Sequence, residues 1–489
     1  MFDYRSFAMR KLTALGPKYL PFVDVATAEV PLSRILRLSL FQVTVGMALV
    51  LLIGTLNRVM IVELDVPASL VAMMLALPLV FAPFRTLIGF RSDQHVSALG
   101  LRRVPYIWKG TMYQFGGFAI MPFSLLVLSG YAEAVDAPRW LGISSAALAF
   151  LLVGAGVHMV QTVGLALATD LVKEDDQPKV VGLMYAMLLL GMVVSALVFG
   201  ALLQPYTPGR LIQVIQGAAV VTVALNLLAL WKQEARDRER AQAMKTMRRQ
   251  RFADAFAELM QAPGMKRLLF VIALGTFGFG MADVLLEPYG GQALGLSVAS
   301  TTKLTALFAS GTLLGFAYAS WALDRAAQPG RISVLGTLLG IVGFAAIIAS
   351  SLGAGVPAFL LGTALTGLGT GLFGHATLTA TLRATQKDRV GLALGAWGAV
   401  QATAAGIGIA LAGLVRDVIV GLDPGAGAGA GAGAAVETPY TIVFSIEILC
   451  LALACAVLLP VLKPRADETG QSQTGRALPD SRQTAVEVP

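Results

Sequence analysis

The first apolar run of the chain reads LRLSLFQVTVGMALVLLIGTLN, from Leu36 to Asn57. It contains no charged residue between Arg37 and Arg58. A helix needs about 20 predominantly apolar residues to cross the hydrocarbon core of a bilayer. We therefore interpret this run as a transmembrane helix. It is followed by Asn57 and Arg58 in place of a small-residue cleavage site, so we expect the mature protein to retain it.

Eleven further apolar runs of similar length follow along the chain. Five of them complete a first half, at 68–90, 106–130, 141–169, 180–203 and 211–231, and six form a second half, at 266–287, 302–323, 332–352, 356–379, 389–415 and 441–462. With 56% hydrophobic and only 13% charged residues, the 489-residue chain cannot hide its apolar surface in one globular core. The pattern predicts an all-α polytopic membrane protein with twelve transmembrane helices in two six-helix bundles.

The basic residues lie mainly on one side of the predicted membrane. If the N-terminus is cytoplasmic, 31 of the 37 Lys and Arg residues fall in cytoplasmic segments, and the positive-inside rule then predicts that both termini are cytoplasmic. The predicted organisation is a cytoplasmic amphipathic N-terminus (1–35), a first bundle (36–231), a basic cytoplasmic linker (232–265), a second bundle (266–462) and a disordered cytoplasmic tail (463–489). Cations placed between apolar spans favour contacts with membrane lipids over a nucleic-acid partner.

Two pairs of loops repeat between the halves. The first pair follows the second and eighth spans and shares an acid with clustered Gly and Arg, which can cap a helix and form ion pairs. Its residues are Gly89, Asp93, Gly100, Arg102 and Arg103 in the first half, and Asp324, Arg325, Gly330 and Arg331 in the second. The second pair runs from Thr169-Asp170 through Val181-Gly182-Leu183 in the first half, and from Thr381-Leu382 through Val390-Gly391-Leu392 in the second. These loops resemble those of the major facilitator superfamily, which is built from parallel repeats of six helices.

The most specific resemblance lies in one long stretch of the first half. Residues 41–123 read FQVTVGMALVLLIGTLNRVMIVELDVPASLVAMMLALPLVFAPFRTLIGFRSDQHVSALGLRRVPYIWKGTMYQFGGFAIMPF. This stretch closely resembles the PucC/LhaA family of bacteriochlorophyll-delivery-type facilitators of phototrophic bacteria, above all at GTLNR (54–58) and APFR (82–85). The resemblance is weaker in the second half and leans toward the LhaA-like branch, which is concerned with the core antenna. It implies the photosynthetic inner membrane of a bacterium.

The resemblance also implies a function. It points to an assembly factor for light-harvesting antenna complexes that binds or delivers bacteriochlorophyll, with antenna polypeptides and pigment-synthesis enzymes as partners. Two alternatives stay open: a secondary transporter of an amphipathic solute or lipid, and a pigment-free scaffold for antenna subunits. We do not expect an enzyme or a metal site. The GTGLFG run at 369–374 matches a dinucleotide-binding pattern but lies inside a predicted helix with no preceding strand.

Two histidines, His158 and His375, lie in the fourth and tenth spans, which correspond to each other in the two halves. A neutral imidazole nitrogen is a common metal ligand and can bind the magnesium of a chlorin. Glycines that precede each histidine leave backbone surface for a flat macrocycle, although they equally permit close helix packing. We therefore predict that at least one histidine contacts pigment, with a hydrogen-bonded histidine inside the bundle as the alternative.

Ionisable residues at membrane depth are costly and therefore suggest function. Asp283 and Glu287 are one helical turn apart near the predicted outer end of the seventh span, and Arg58 follows the first span. These two spans face each other in facilitator folds, so the three residues predict an outer gate or brace between the halves. Interfacial charges without such a role are the alternative. Glu447, in the twelfth span, has no partner that the sequence identifies.

Overall fold

A computed structural model of the protein describes residues 31–80, 88, 92, 101, 103–130, 134, 136–173, 176–234, 257, 259–325, 327–385, 390–422 and 434–459. Each of the twelve predicted apolar runs contains a described helix. These helices are α1 (Leu32–Glu63), α2 (Ala68–Val80), α3 (Val104–Ser129), α4 (Arg139–Asp170), α5 (Gln177–Leu202), α6 (Pro208–Leu230), α7 (Met265–Gln292), α8 (Val298–Asp324), α9 (Pro329–Ala349), α10 (Gly355–Arg383), α11 (Val390–Leu422) and α12 (Ala434–Leu458). Most of the predicted N-terminal segment, linker and tail lies outside the described residues.

Ten helical stretches among the described residues are long and apolar enough to cross a membrane, judged by length and composition. One of them, Pro329–Arg383, contains both α9 and α10. The chain reverses between these two helices at Gly353, whose φ of 104° is a conformation that favours glycine. Helix α2 is a shorter apolar helix in its described part. The prediction of an all-α polytopic membrane protein is confirmed, while the predicted orientation in the membrane stays a prediction.

The two halves pack their helices in the same pairs. In the first half, α3 packs on α4 and α6, α1 packs on α5 and α6, and α2 packs on α4. In the second half, α9 packs on α10 and α12, α7 packs on α11 and α12, and α8 packs on α10. Adding six to each helix number of the first set gives the second set. This correspondence is the structural counterpart of the repeated loops in the sequence.

Two helix pairs form most of the contact between the halves, α2 with α11 and α5 with α8. Small residues permit the close approach, as is usual where no hydrophobic effect drives helices together within lipid. A Cβ added at Gly413 of α11 would lie 2.7 Å from the carbonyl oxygen of Ala68 in α2. Helix α1 adds contacts with α7 and α8. Two of the three residues predicted to form a gate, Arg58 and Glu287, lie at these α1 contacts.

Candidate functional site

The halves are joined at the predicted outer end by a hydrogen bond from a buried asparagine. Asn57 Nδ2, in α1, donates to the carbonyl oxygen of Val284, in α7, at 2.8 Å. Within a helix that oxygen would normally accept from the amide four residues later, but residue 288 is proline and has no N–H. Asn57 thus supplies the donor that Pro288 lacks. Sequence reasoning missed this contact, although a proline four residues after Val284 was its visible signal.

Arg58 also crosses between the halves, with a partner that the sequence did not indicate. Its Nη1 pairs with Glu63 Oε1 at 2.5 Å, and its Nη2 donates to the carbonyl oxygen of Leu296, between α7 and α8, at 2.9 Å. The guanidinium therefore reaches the second half through a backbone oxygen, and its described ion pair is with Glu63. The predicted pairing with Asp283 or Glu287 is not among the described ion pairs.

Glu287 lies at the same junction, packed between α1 and α8. Its Oε1 accepts a hydrogen bond from Thr305 Oγ1, in α8. A Cβ added at Gly54, in α1, would lie only 2.8 Å from that oxygen. Any side chain at position 54 would thus collide with the carboxyl group. The structure therefore places Glu287 at the contact between the halves, and a gating role for it stays a prediction.

Helix α1 is π-helical where it meets the second half. The π-helical turns cover Val50–Leu56 and Val59–Glu63. Thr55 lies in the first of them, with its hydroxyl 3.2 Å from that of Thr302 in α8. Such turns are uncommon and occur often at functional sites. No feature of the sequence indicated this distortion, which coincides with the polar contacts between the halves.

A second group of acids lies deeper in the second half. Glu447, in α12, is fully buried, and neither of its carboxyl oxygens has a hydrogen-bond partner among the described residues. Asp283, in α7, is close enough to interact with it electrostatically. None of the ion pairs among the described residues includes Asp283, Glu287 or Glu447. Carboxyl groups at this depth are costly, so their presence marks a candidate functional region.

One arginine of the predicted loop signature joins three segments at the opposite end of the first half. Arg103 Nε donates to Asp170 Oδ2, at the end of α4, at 2.6 Å, and its Nη1 donates to Ser92 Oγ at 3.2 Å. Glu234, which follows α6, accepts hydrogen bonds from the backbone amides of Arg103 and Val104 at the start of α3. This network ties four chain segments together. The other predicted members, Gly89, Asp93, Gly100 and Arg102, lie outside the described residues.

The corresponding end of the second half uses different contacts. Arg325 stacks on the ring of Trp321 at 4.2 Å, while the neighbouring Asp324 is exposed. Asp324 does not cap α9, whose N-cap is Gln328. Arg383, at the end of α10, instead donates to the carbonyl oxygen of Leu323 at 3.2 Å. In the first half, an arginine at the start of α3 thus bonds to the end of α4, whereas in the second half an arginine at the end of α10 bonds to the end of α8.

The two histidines lie in α4 and α10, and both are half-buried. His375 packs on Phe316 of α8, with 4.1 Å between ring centroids, and its Nδ1 has no hydrogen-bond partner among the described residues. That nitrogen is buried and its hydrogen-bonding capacity is unsatisfied. Beside it, Gly374 has open space, since an added Cβ would meet nothing nearer than Gln401 Nε2 at 4.0 Å. The unsatisfied nitrogen of His375 is thus buried, and the open space lies at the adjacent Gly374.

Most of the neighbouring glycines serve helix packing. A Cβ at Gly371 would lie 2.1 Å from the carbonyl oxygen of Thr312, in α8, and one at Gly156 would lie 2.5 Å from that of Gly110, in α3. Their backbone surfaces are covered by other helices, which leaves no room there for a macrocycle. Of the two interpretations of these glycines, the structure supports close packing.

Comparisons with known proteins identify the family. The PUCC protein family model matches residues 55–466, which is most of the chain. The chain belongs to the PUCC family. It is 68% identical to Protein PucC of Rhodobacter capsulatus, over 94% of this chain and 99% of that protein. It is 56% identical to Protein PucC of Cereibacter sphaeroides, over 92% of this chain and 97% of that protein. The predicted lean toward the LhaA-like branch is not confirmed.

The fold of this PUCC family chain is that of the major facilitator superfamily. The E. coli xylose transporter XylE, solved in a partially occluded inward-open conformation, is similar to it with a TM-score of 0.63 at 12% identity, over 89% of this chain and 98% of that chain. At this identity the likeness concerns the fold alone. Together, the family and the apolar helices establish a multi-pass protein of the bacterial inner membrane.

Proposed function

We propose that this PUCC family protein is an assembly factor for photosynthetic light-harvesting antenna complexes. It binds bacteriochlorophyll, or delivers it to antenna polypeptides while they insert into the membrane and assemble. The observation that carries the proposal is the family membership, which covers residues 55–466. We also propose that the protein acts without catalysing a reaction, and that its partners are antenna polypeptides and pigment-synthesis enzymes.

The surroundings of His375 support a pigment contact in the second half. The unpartnered Nδ1 of this residue is suited to bind the central magnesium of a chlorin once the side chains that bury it move aside, and the adjacent Gly374 has open space. Phe316 covers one side of the imidazole. A planar aromatic ligand would gain stacking contacts from such a neighbour. We therefore favour α10, where Gly374 has open space, over α4 as the place of contact.

The pigment test compares His375→Phe and His158→Phe with the wild type after purification in mild detergent from a pigmented host. We expect His375→Phe to lose most of its co-purified bacteriochlorophyll, because changes around a metal ligand alone weaken binding roughly tenfold or more. Pigment per chain is measured from absorption spectra, and bound antenna polypeptides are identified by mass spectrometry. Thr370→Val, which removes a hydroxyl that donates to the carbonyl oxygen of Thr366 in the same helix, is the control and should keep its pigment.

Each outcome of the pigment test has a clear meaning. Unchanged pigment in both histidine variants would end the idea of histidine ligation. Antenna polypeptides bound to a pigment-free wild-type protein would favour a scaffold without a pigment site. A wild-type protein with neither pigment nor antenna polypeptides would contradict the assembly proposal.

The buried acids favour one second candidate, a secondary transporter of an amphipathic solute or lipid. Transporters of this fold use carboxyl groups at membrane depth in proton or ion pathways. Asp283, Glu287 and Glu447 are such groups, and none of them forms an ion pair among the described residues. The first span has no charged residue between Arg37 and Arg58 and the fourth has none between Leu141 and Thr169, which by itself argues against proton coupling. The acids in α7 and α12 nevertheless provide carboxyl groups that a proton-coupled transporter can use.

The transport test reconstitutes the protein in liposomes and follows a fluorescent short-chain phospholipid across the membrane, with and without a pH gradient. If the protein is such a transporter, the gradient should accelerate movement in the wild type, and Glu447→Gln should abolish the acceleration because glutamine cannot exchange a proton. Glu437→Gln, which changes an acid at the predicted outer end of the same helix, is the control and should keep it. If the wild type moves the fluorescent phospholipid at the same rate with and without the pH gradient, this would count against proton-driven transport of this probe.

A further inference from the structure

A groove of about 680 Å³ opens on the outside of the first half, between α1, α5 and α6. It begins at the predicted outer end beside Gln204 and Arg210 and continues along α6 to Leu225. At 1.5 Å per residue, the distance along α6 from residue 210 to residue 225 is about 22 Å. One leaflet of the hydrocarbon core is about 15 Å deep, half of its roughly 30 Å thickness. The groove is therefore long enough for a complete acyl chain.

The walls of the groove are suited to hydrocarbon. They are formed mainly by apolar side chains, including Val43, Met47, Val198, Leu202, Val214 and Val221. Gly217 is an exposed residue of the lining, and a Cβ added there would meet no atom within 4 Å. Val194 and Leu202 are more than half exposed along its sides, so the groove faces the lipid phase. A chain from the bilayer can enter it sideways.

The mouth of the groove carries a positive charge. Arg210 is the one charged residue in the groove lining, and its side chain is exposed. Its Nη1 donates to the carbonyl oxygens of Gln204 and Pro205, which holds the guanidinium at the mouth. None of the ion pairs among the described residues includes Arg210. A guanidinium without an acidic partner, at the level of the headgroups, is complementary to a phosphate.

We propose that this groove binds one anionic phospholipid, with its phosphate on Arg210 and one acyl chain between α1, α5 and α6. The charge decides between occupants of similar shape, because a neutral amphiphile would leave the guanidinium without a counter-ion. The site is separate from His375 and from the junction between the halves. It therefore does not depend on the proposed role in antenna assembly.

The test measures lipid retention by native mass spectrometry of the full chain in mild detergent. The protein is incubated with phosphatidylglycerol or with phosphatidylcholine of the same acyl chains. The wild type should retain one phosphatidylglycerol and much less phosphatidylcholine. Arg210→Gln should lower phosphatidylglycerol retention about tenfold, the size expected for a charge-assisted hydrogen bond. Gly217→Leu should reduce the retention of both lipids, because its side chain would fill the groove without a clash.

Two matched variants control for general effects on folding and surface charge. Arg139→Gln removes another exposed arginine from the predicted outer end, where it donates to the carbonyl oxygens of Leu64 and Asp65. Gly116→Leu adds the same bulk to α3, at a second position where an added Cβ meets nothing within 4 Å. Both should retain phosphatidylglycerol like the wild type.

Three results would overturn the proposal: equal retention of both lipids by the wild type, wild-type lipid retention by Arg210→Gln, or wild-type lipid retention by Gly217→Leu. Release of bacteriochlorophyll by Gly217→Leu with phospholipid unchanged would also overturn it and assign the groove to pigment.

Discussion

A single methyl group at position 371 should destabilise the protein, whereas the same methyl group at position 374 should not. The Cβ of Gly371→Ala would lie 2.1 Å from the carbonyl oxygen of Thr312 and 2.9 Å from the amide nitrogen of Phe316. Because both contacts are with backbone, α8 and α10 would have to move apart. Overpacking of this kind costs about 1–3 kcal/mol and occasionally more. The midpoint of thermal unfolding in detergent should fall by several degrees.

Gly374→Ala is the matched control, one helical turn away in the same helix. Its Cβ would meet nothing nearer than 4.0 Å. Alanine is favoured over glycine within a helix by up to about 1 kcal/mol, so this variant should be as stable as the wild type or slightly more stable. Equal unfolding midpoints for the two variants would show that the contact between α8 and α10 is looser than the structure indicates. Both variants replace a glycine of α10 by alanine and so restrict the backbone in the same way. A difference between their unfolding midpoints therefore reports the contact between α8 and α10.

Asn57→Leu should open the predicted outer end of the protein. The substitution removes the donor to the carbonyl oxygen of Val284, and Pro288 provides no replacement. A buried polar group left without a partner costs about 1–3 kcal/mol, which corresponds to a shift of roughly fivefold to a hundredfold in the equilibrium between closed and open forms. Spin labels on the two halves at the outer end should then show a second, longer distance.

The labels are introduced as Trp140→Cys and Leu352→Cys, after Cys450 and Cys455 are replaced by alanine. Both positions are at the predicted outer end and are 67% and 81% exposed, so the labels should not disturb packing. The control is Asn226→Leu, which removes another fully buried asparagine whose partners, Thr44 and Thr111, lie within the first half. It should lower stability and leave the distance between the labels unchanged. If the distance between the labels in Asn57→Leu is identical to that of the wild type, the hydrogen bond from Asn57 to Val284 does not hold the outer end closed.

The sequence predicted the all-helical membrane architecture because bilayers constrain chains strongly. Every backbone polar group must be satisfied within the lipid phase, so spans appear as long apolar runs separated by short polar loops. The two-fold repeat was visible because the two halves carry the same residues at 181–183 and 390–392, which lie near the starts of α5 and α11. Asp170 and Arg103 were each noted in a different repeated loop. Their ion pair shows that these separate signals belong to one network.

The contacts between the halves were harder to predict, for a physical reason. Charge pairing suggested that Arg58 would meet Asp283 or Glu287, but the structure joins the halves through the carbonyl oxygens of Val284 and Leu296. Every residue has a carbonyl oxygen, so charge patterns do not reveal which one accepts: Pro288 indicated that of Val284, and no sequence feature indicated that of Leu296. The π-helical turns of α1 have no sequence pattern either. Glycines before the histidines were ambiguous because close packing and ligand binding demand the same absence of a side chain.

The contact surfaces of α2 with α11 and of α5 with α8 have a consequence for how the polypeptide tolerates a break. Because these non-covalent surfaces connect the halves, peptide continuity between α6 and α7 is not what holds them together. Two separate genes, one encoding the chain as far as α6 and the other beginning ahead of α7, should therefore yield products that co-purify as a one-to-one heterodimer.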